Sequence, residues 1–118
     1  MANREDVRRI ALSLPEAVED PGGSAYRVDG RLFAWPWMER VHPQKARVAN
    51  PDVLAVRVAN ELEKESLLNL DPQVFFTEPH YDGYPAVLVR LPAIDLELLE
   101  VVLTDAWRSR APRHLLSE

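Results

Sequence analysis

The chain has 118 residues, 47% of them hydrophobic and 28% charged, with a formal net charge of −5 and no cysteine. That balance fits one globular domain spanning residues 1–118, and the missing cysteines exclude disulfides, a thiolate nucleophile and any Cys-ligated metal centre. Residues 1–59 carry nine Lys and Arg against eight Asp and Glu, whereas residues 60–118 carry five against eleven, so an anion-binding face has to be local, set against an unfavourable overall field.

Asn3 is an N-cap candidate with Glu5 and Asp6 in the first turn, and Val7, Ile10, Ala11 and Leu14 recur at helical spacing, which predicts a helix over residues 4–14, ended by Pro15. Pro21-Gly22-Gly23 turns the chain. "SAYRV" and "RLFAWPW" then flank Asp29-Gly30, a strong hairpin signal. Pro36 is expected to weaken the later part of the second strand or place it at an edge. "MERVHPQKARVANPD" is expected to be irregular or a long hairpin connection, and residues 54–58 a strand. Asn60 and Glu63 suit a capping box for a short helix over "ELEKESLLNL", which Asp71-Pro72 ends. "QVFFTE" and "AVLVRL" are β-rich, with Asp82-Gly83 as a tight turn between them. Asp95 caps a last helix, residues 96–109, whose stripe is Leu98, Leu99, Val102, Leu103 and Ala106. A tail follows that is expected to dock in part through Leu115 and Leu116. Hairpins dominate over βαβ units, so the fold class expected is α+β: a two-layer sandwich with the N- and C-terminal helices packed on one face of an antiparallel sheet.

"LSLPEAVED" after the first helix, "RLFAW" after a turn, "FFTEPHYDGYPAVLVRL" and "LTDAWRSRAP" on the last helix resemble, in the same order, the MmcQ/YjbR family. "PHYDGYP" and "DAW" are the most specific parts, and the resemblance covers nearly the whole chain. It implies a small bacterial cytoplasmic domain with a YjbR-like fold, similar to the frataxin/CyaY arrangement of two helices against an antiparallel sheet. Family members usually carry the description DNA-binding protein, so the resemblance also implies nucleic acid as the partner.

Two stretches compete as the functional surface. "RLFAWPWMERVHPQKAR", residues 31–47, sets Arg31, Arg40, Lys45 and Arg47 against Glu39 alone and interleaves Trp35 and Trp37. A basic hairpin with aromatics suits phosphate tracking and base stacking. The two tryptophans share a face if the strand is regular, which Pro36 opposes. Tryptophan is usually well buried, so the favoured reading is that one or both tryptophans cover the core while the charges are solvated surface. "FFTEPHYDGYP", residues 75–85, gathers four aromatics, a histidine, an Asp-Gly turn and two prolines. His80 and Asp82 stand two apart, on one face of a strand if the segment is extended, and histidine suits acid–base or ligand chemistry near neutrality. Turn chemistry accounts for the same residues without a ligand and is the favoured reading. Phe76, His80, Tyr81, Asp82 and Tyr84 stand as the surface for a protein partner or small ligand.

The expectation is therefore a non-enzymatic DNA-binding module acting through residues 31–47, with the aromatic surface near His80 as the alternative. The carboxylates Glu16, Glu19, Asp20, Glu61, Glu63 and Glu65 are expected to be solvated rather than to hold a metal. Arg108, Arg110, Arg113 and His114 complement the dipole of the last helix. No P-loop, G-x-S-x-G, G-x-G-x-x-G or H-x-x-x-H spacing is present, so no catalytic residue and no cofactor are expected. No apolar run has the length of a membrane span and the N-terminus lacks a signal-peptide core, which makes the cytoplasm the expected location.

Overall fold

Helix α1, Arg4–Ser13, starts immediately after Asn3, whose backbone is extended. The Asn3 side chain accepts the Asp6 N–H at 3.0 Å and the Asp6 carboxylate accepts the Asn3 N–H at 3.0 Å, a reciprocal capping box. The helix buries Val7, Ile10 and Ala11 and keeps its arginines in solvent. Asn3→Ala removes one side of that box. It is expected to lower stability by about 1 kcal/mol, which thermal denaturation registers as a Tm roughly 4 °C lower. The computed structural model describes residues 1–40 and 47–116, and of residues 39, 40 and 47–49 the backbone alone.

Six strands follow: β1 Ala17–Glu19, β2 Tyr26–Val28, β3 Arg31–Arg40, β4 Arg47–Arg57, β5 Phe75–Phe76 and β6 Ala86–Arg90. They form an antiparallel sheet in the order β1-β2-β3-β4-β6-β5. Asp29 and Gly30 both take positive φ, 53° and 75°, and close the predicted hairpin between β2 and β3. Strand β1 goes unpredicted by the sequence pattern; three residues after a proline carry almost no periodic signal. The segments expected to be irregular on either side of residues 41–46 are instead extended: β3 runs on to Arg40 and β4 begins at Arg47, with Met38 opposite Ala49 and Arg40 opposite Arg47. Pro36 is accommodated because β2 pairs with β3 no further than Ala34, so the proline stands where β3 has β4 on one side and no partner from β2 on the other. The register shifts immediately after it, between Pro36 and Met38.

Helix α2, Glu61–Leu70, is capped by Asn60, whose side chain accepts the Glu63 N–H at 2.9 Å. Glu63 reaches back to the N–H of Ala59 rather than Asn60, a looser version of the expected box. Helix α3, Leu96–Arg110, is capped by Asp95 and buries Leu99, Val102, Leu103, Ala106 and Trp107. A short helix α4, Arg113–Leu116, docks through Leu115 and leaves Leu116 exposed. Helices α1 and α3 lie on one face of the sheet. The core between them and the strands includes Tyr26, Val28, Phe33, Leu54, Val56, Phe75, Val87 and Val89, and the α+β layering expected from the sequence is the one formed. Alternation along β4 and β6 points Ala55, Ala86 and Leu88 to the opposite, outer face. No helix of the described residues is long and apolar enough to cross a membrane.

Candidate functional site

Aromatic rings cover the outer face of the sheet. Trp35 stands opposite Ala55 on β4 and Phe76 opposite Leu88 on β6. Trp37 falls in the register shift after Pro36, and its ring meets Phe76 edge-on at 6.2 Å. The two tryptophans therefore address the same aromatic layer even though Pro36 disturbs the strand between them. Trp35 contacts the Tyr84 ring at 6.4 Å, Tyr84 contacts Tyr81 at 5.9 Å, and the Trp35 indole N–H donates to the Tyr81 hydroxyl at 3.1 Å. Two guanidiniums cap the layer: Arg57 lies 5.6 Å from the Tyr84 ring centroid and Arg90 3.9 Å from that of Phe76.

The segment expected to be a tight turn between strands is more elaborate. Pro79–Tyr81 is a 3₁₀ turn capped by Glu78, whose carboxylate accepts the His80 N–H at 3.1 Å. Asp82 is the cap residue at its other end, so His80 and Asp82 do not share a strand face. Gly83 takes φ 77° and lets the chain return to β6. Lys64 of α2 fixes this loop from behind. Only 2% exposed, its ammonium donates to the carbonyls of Tyr81 at 2.5 Å and Tyr84 at 2.8 Å.

The fold thereby merges the two competing stretches. Trp35, Trp37 and Met38 from β3, with Glu78, His80 and Tyr81 from the loop, line an open groove of about 400 Å³. Trp35, Trp37, Phe76 and Tyr81 are half-buried; His80, Asp82 and Tyr84 are exposed. Among the predicted phosphate contacts, Arg31 is exposed at the start of β3. Arg40 and Arg47 pair across β3 and β4 as backbone, and Lys45 lies outside the described residues. Lys64, Arg57 and Arg90 are the residues that sequence reasoning missed. Lys64 did leave a signal: it precedes Leu67 and Leu68 by three and four residues, on their face of α2.

A second, smaller hollow of about 180 Å³ adjoins the start of α1 and is lined in part by Arg4, Arg8, Glu19 and Tyr26. Burial, together with the neighbouring Glu19 carboxylate, pushes the Tyr26 hydroxyl up to about 12. Partial burial acts to raise Glu19, but hydrogen bonds from Arg8, the Ser24 backbone and Tyr26 outweigh it and hold the carboxyl below its usual range. This network joins α1 to β1 and β2. Among the described residues no three His, Asp or Glu side chains gather as a metal site.

An α+β sandwich with an aromatic groove on its outer face defines a class of small domain, and the comparisons place it. A family model described as YjbR matches residues 12–109, and the chain belongs to the YjbR family. It is 39% identical over 122 residues to an uncharacterised protein of Mycobacterium bovis and, to the same extent, to one of Mycobacterium tuberculosis; each match covers 98% of this chain and 94% of the relative. Among solved structures it is similar to Deinococcus radiodurans protein DR2400, described as a DUF419 domain, with a TM-score of 0.56 and 19% identity over 91% of this chain and 77% of that one. At that identity the likeness extends to the fold.

Proposed function

We propose that this YjbR protein is a non-enzymatic binding module that takes a planar or apolar group, from a small molecule or a partner protein, in the groove between β3 and the Pro79–Tyr81 turn. The observation that carries this reading is the convergence of Trp35 and Trp37 with His80 and Tyr81, from distant parts of the chain, on one open concavity. Half-exposed rings supply apolar area, while His80 and Glu78 supply polar groups at the rim. Trp107 provides an internal control, since its indole N–H is tied to the Pro15 carbonyl at 2.9 Å on the helix side of the sheet. Titration of ¹⁵N-labelled protein with ring-bearing probes, adenosine and a tryptophan-containing peptide among them, is expected to move the Trp35 and Trp37 indole signals and leave that of Trp107 in place. Trp37→Ala is expected to weaken the effect at least tenfold. Equal movement of all three signals, or of none, rejects the groove.

Single- or double-stranded DNA is the second reading, favoured by the position of both tryptophans on the strand that ends at Arg40, opposite Arg47. Bases would stack on Trp35 or Trp37 while the basic residues, with Arg31, meet phosphates. Fluorescence anisotropy of labelled DNA is then expected to give an affinity that falls steeply with salt and weakens on Arg40→Ala with Arg47→Ala for all sequences alike. No binding at low salt eliminates this reading and leaves the groove to other ligands.

A further inference from the structure

Three arginines lie at the end of the sheet away from the start of α1. Arg31 opens β3 opposite Val28, and Arg57 closes β4 opposite Ala86; the pairing of Ala34 with Val56 brings those two strand ends to the same edge. Helix α3 delivers Arg110 to this edge, because the Trp107–Pro15 hydrogen bond and the pairing of Ala17 with Val28 hold its last turn beside the β2–β3 hairpin. Among the described residues none of the three guanidiniums has a carboxylate within ion-pair distance, although the chain carries 19 Asp and Glu. The Arg110 Nε–H is buried with no hydrogen-bond partner. Arg57 spends its contact on the Tyr84 ring rather than on an acid.

Stability does not account for such an arrangement. A cation in the last turn of α3 complements the helix dipole, and Arg108, exposed in that turn, already supplies one. Unpaired like charges repel, and an orphaned buried donor is unfavourable. Burial and the positive charges of Arg57 and Arg31 hold the Arg110 guanidinium below its ordinary value. A planar guanidinium fork is built to meet an oxyanion two bonds at a time, and three elements each bring one to this end of the sheet, Arg31 from the helix face opposite Val28, Arg57 from the outer face opposite Ala86 and Arg110 from the last turn of α3.

We propose that Arg31, Arg57 and Arg110 form an oxyanion site that takes a phosphate group, with the Tyr84 ring as its apolar wall. The site adjoins the aromatic layer through Tyr84, which touches Trp35 and Tyr81, but none of its arginines lines the groove. The phosphate comes either from a phosphorylated small molecule or from a nucleic-acid backbone.

The test is a titration of the ¹⁵N-labelled protein with inorganic phosphate at ionic strength held constant with sodium chloride, following the arginine Nε–H signals. The Arg110 signal is expected to move saturably, and Arg57→Gln to weaken the response at least tenfold. Arg110→Gln is expected to keep or raise the Tm in phosphate-free buffer and to abolish the rise in Tm that phosphate gives the parent protein. A short oligothymidylate without terminal phosphate separates the sources: movement of the same signals points to a phosphodiester backbone, and movement with inorganic phosphate alone points to a phosphomonoester. An Arg110 signal that follows chloride as closely as phosphate overturns the proposal. So does a phosphate response that survives Arg57→Gln, or a loss of Tm in Arg110→Gln equal with and without phosphate. The groove probes carry no phosphate, so either site can fail alone.

Discussion

Lys64→Met is expected to lower the Tm by about 10 °C, a large change for a domain whose total stability is on the order of 10 kcal/mol. Lys64 is the one charged residue among the buried side chains of the described residues. Its ammonium is held by the carbonyls of Tyr81 and Tyr84. Hydrogen bonds to a charged group contribute roughly 1.5–3 kcal/mol each. Methionine fills a similar volume and regains part of that through apolar contact, so a net loss of about 2–3 kcal/mol follows. The loop between β5 and β6 also bonds within itself, Tyr81 to Glu78, Asp82 to Pro79 and Tyr84 to Tyr81, and to the chain just past β4, where the Val58 N–H donates to the Pro85 carbonyl. Without Lys64, the two hydrogen bonds that tie the Tyr81 and Tyr84 carbonyls to α2 are lost. The Tyr81 hydroxyl then loses its fixed position against the Trp35 indole. Broadening of the Trp35 indole signal in the variant is therefore expected alongside the lower Tm, with Trp107 still sharp. An unchanged Tm would show that the loop is held by its rings alone.

Local signals in the sequence were strong wherever one segment decides its own conformation. The Asn3 cap, the apolar spacing from Val7 to Ala11, the Asp29-Gly30 hairpin and the stripe of α3 each depend on neighbours a few residues apart, and each forms nearly where the pattern places it. The family resemblance drawn from "PHYDGYP" and "DAW" agrees with the YjbR match. What the pattern lacks is long-range. The Trp35–Tyr81 hydrogen bond spans 46 residues and the Lys64 bonds span 17 and 20, and no periodicity encodes either. The extended course of β3 beyond Pro36 was hidden for a related reason: proline opposes a strand only where its missing N–H is needed, and that depends on β2 ending at a particular point. The candidate site was thus visible as two separate stretches. Their union on one face of the sheet follows from the strand order, which places β6 beside β4 and so brings the loop before β6 over β3.

The pair Phe75 and Phe76 tests that union most directly. Phe75→Ala is expected to lower stability by about 4 kcal/mol and Phe76→Ala by no more than about 1.5 kcal/mol, measured by urea unfolding at unchanged slope. Phe75 is 1% exposed and packs in the core between the helices and the sheet. Phe76 faces outward, half-buried between the Trp37 ring and the Arg90 guanidinium. Adjacent residues of a strand point to opposite faces, so the difference measures which face β5 presents to the core. The smaller stability change carries the larger effect on the groove. Trp37 sits in a register shift and draws its support from Phe76, so Phe76→Ala is expected to shift the Trp37 indole signal and weaken probe binding, while the Trp107 signal holds. The reverse order of stability losses would mean that β5 pairs with β6 one residue out of register. Phe76 would then lie in the core, Trp37 would have no ring to rest on, and the groove would lose the wall that defines it.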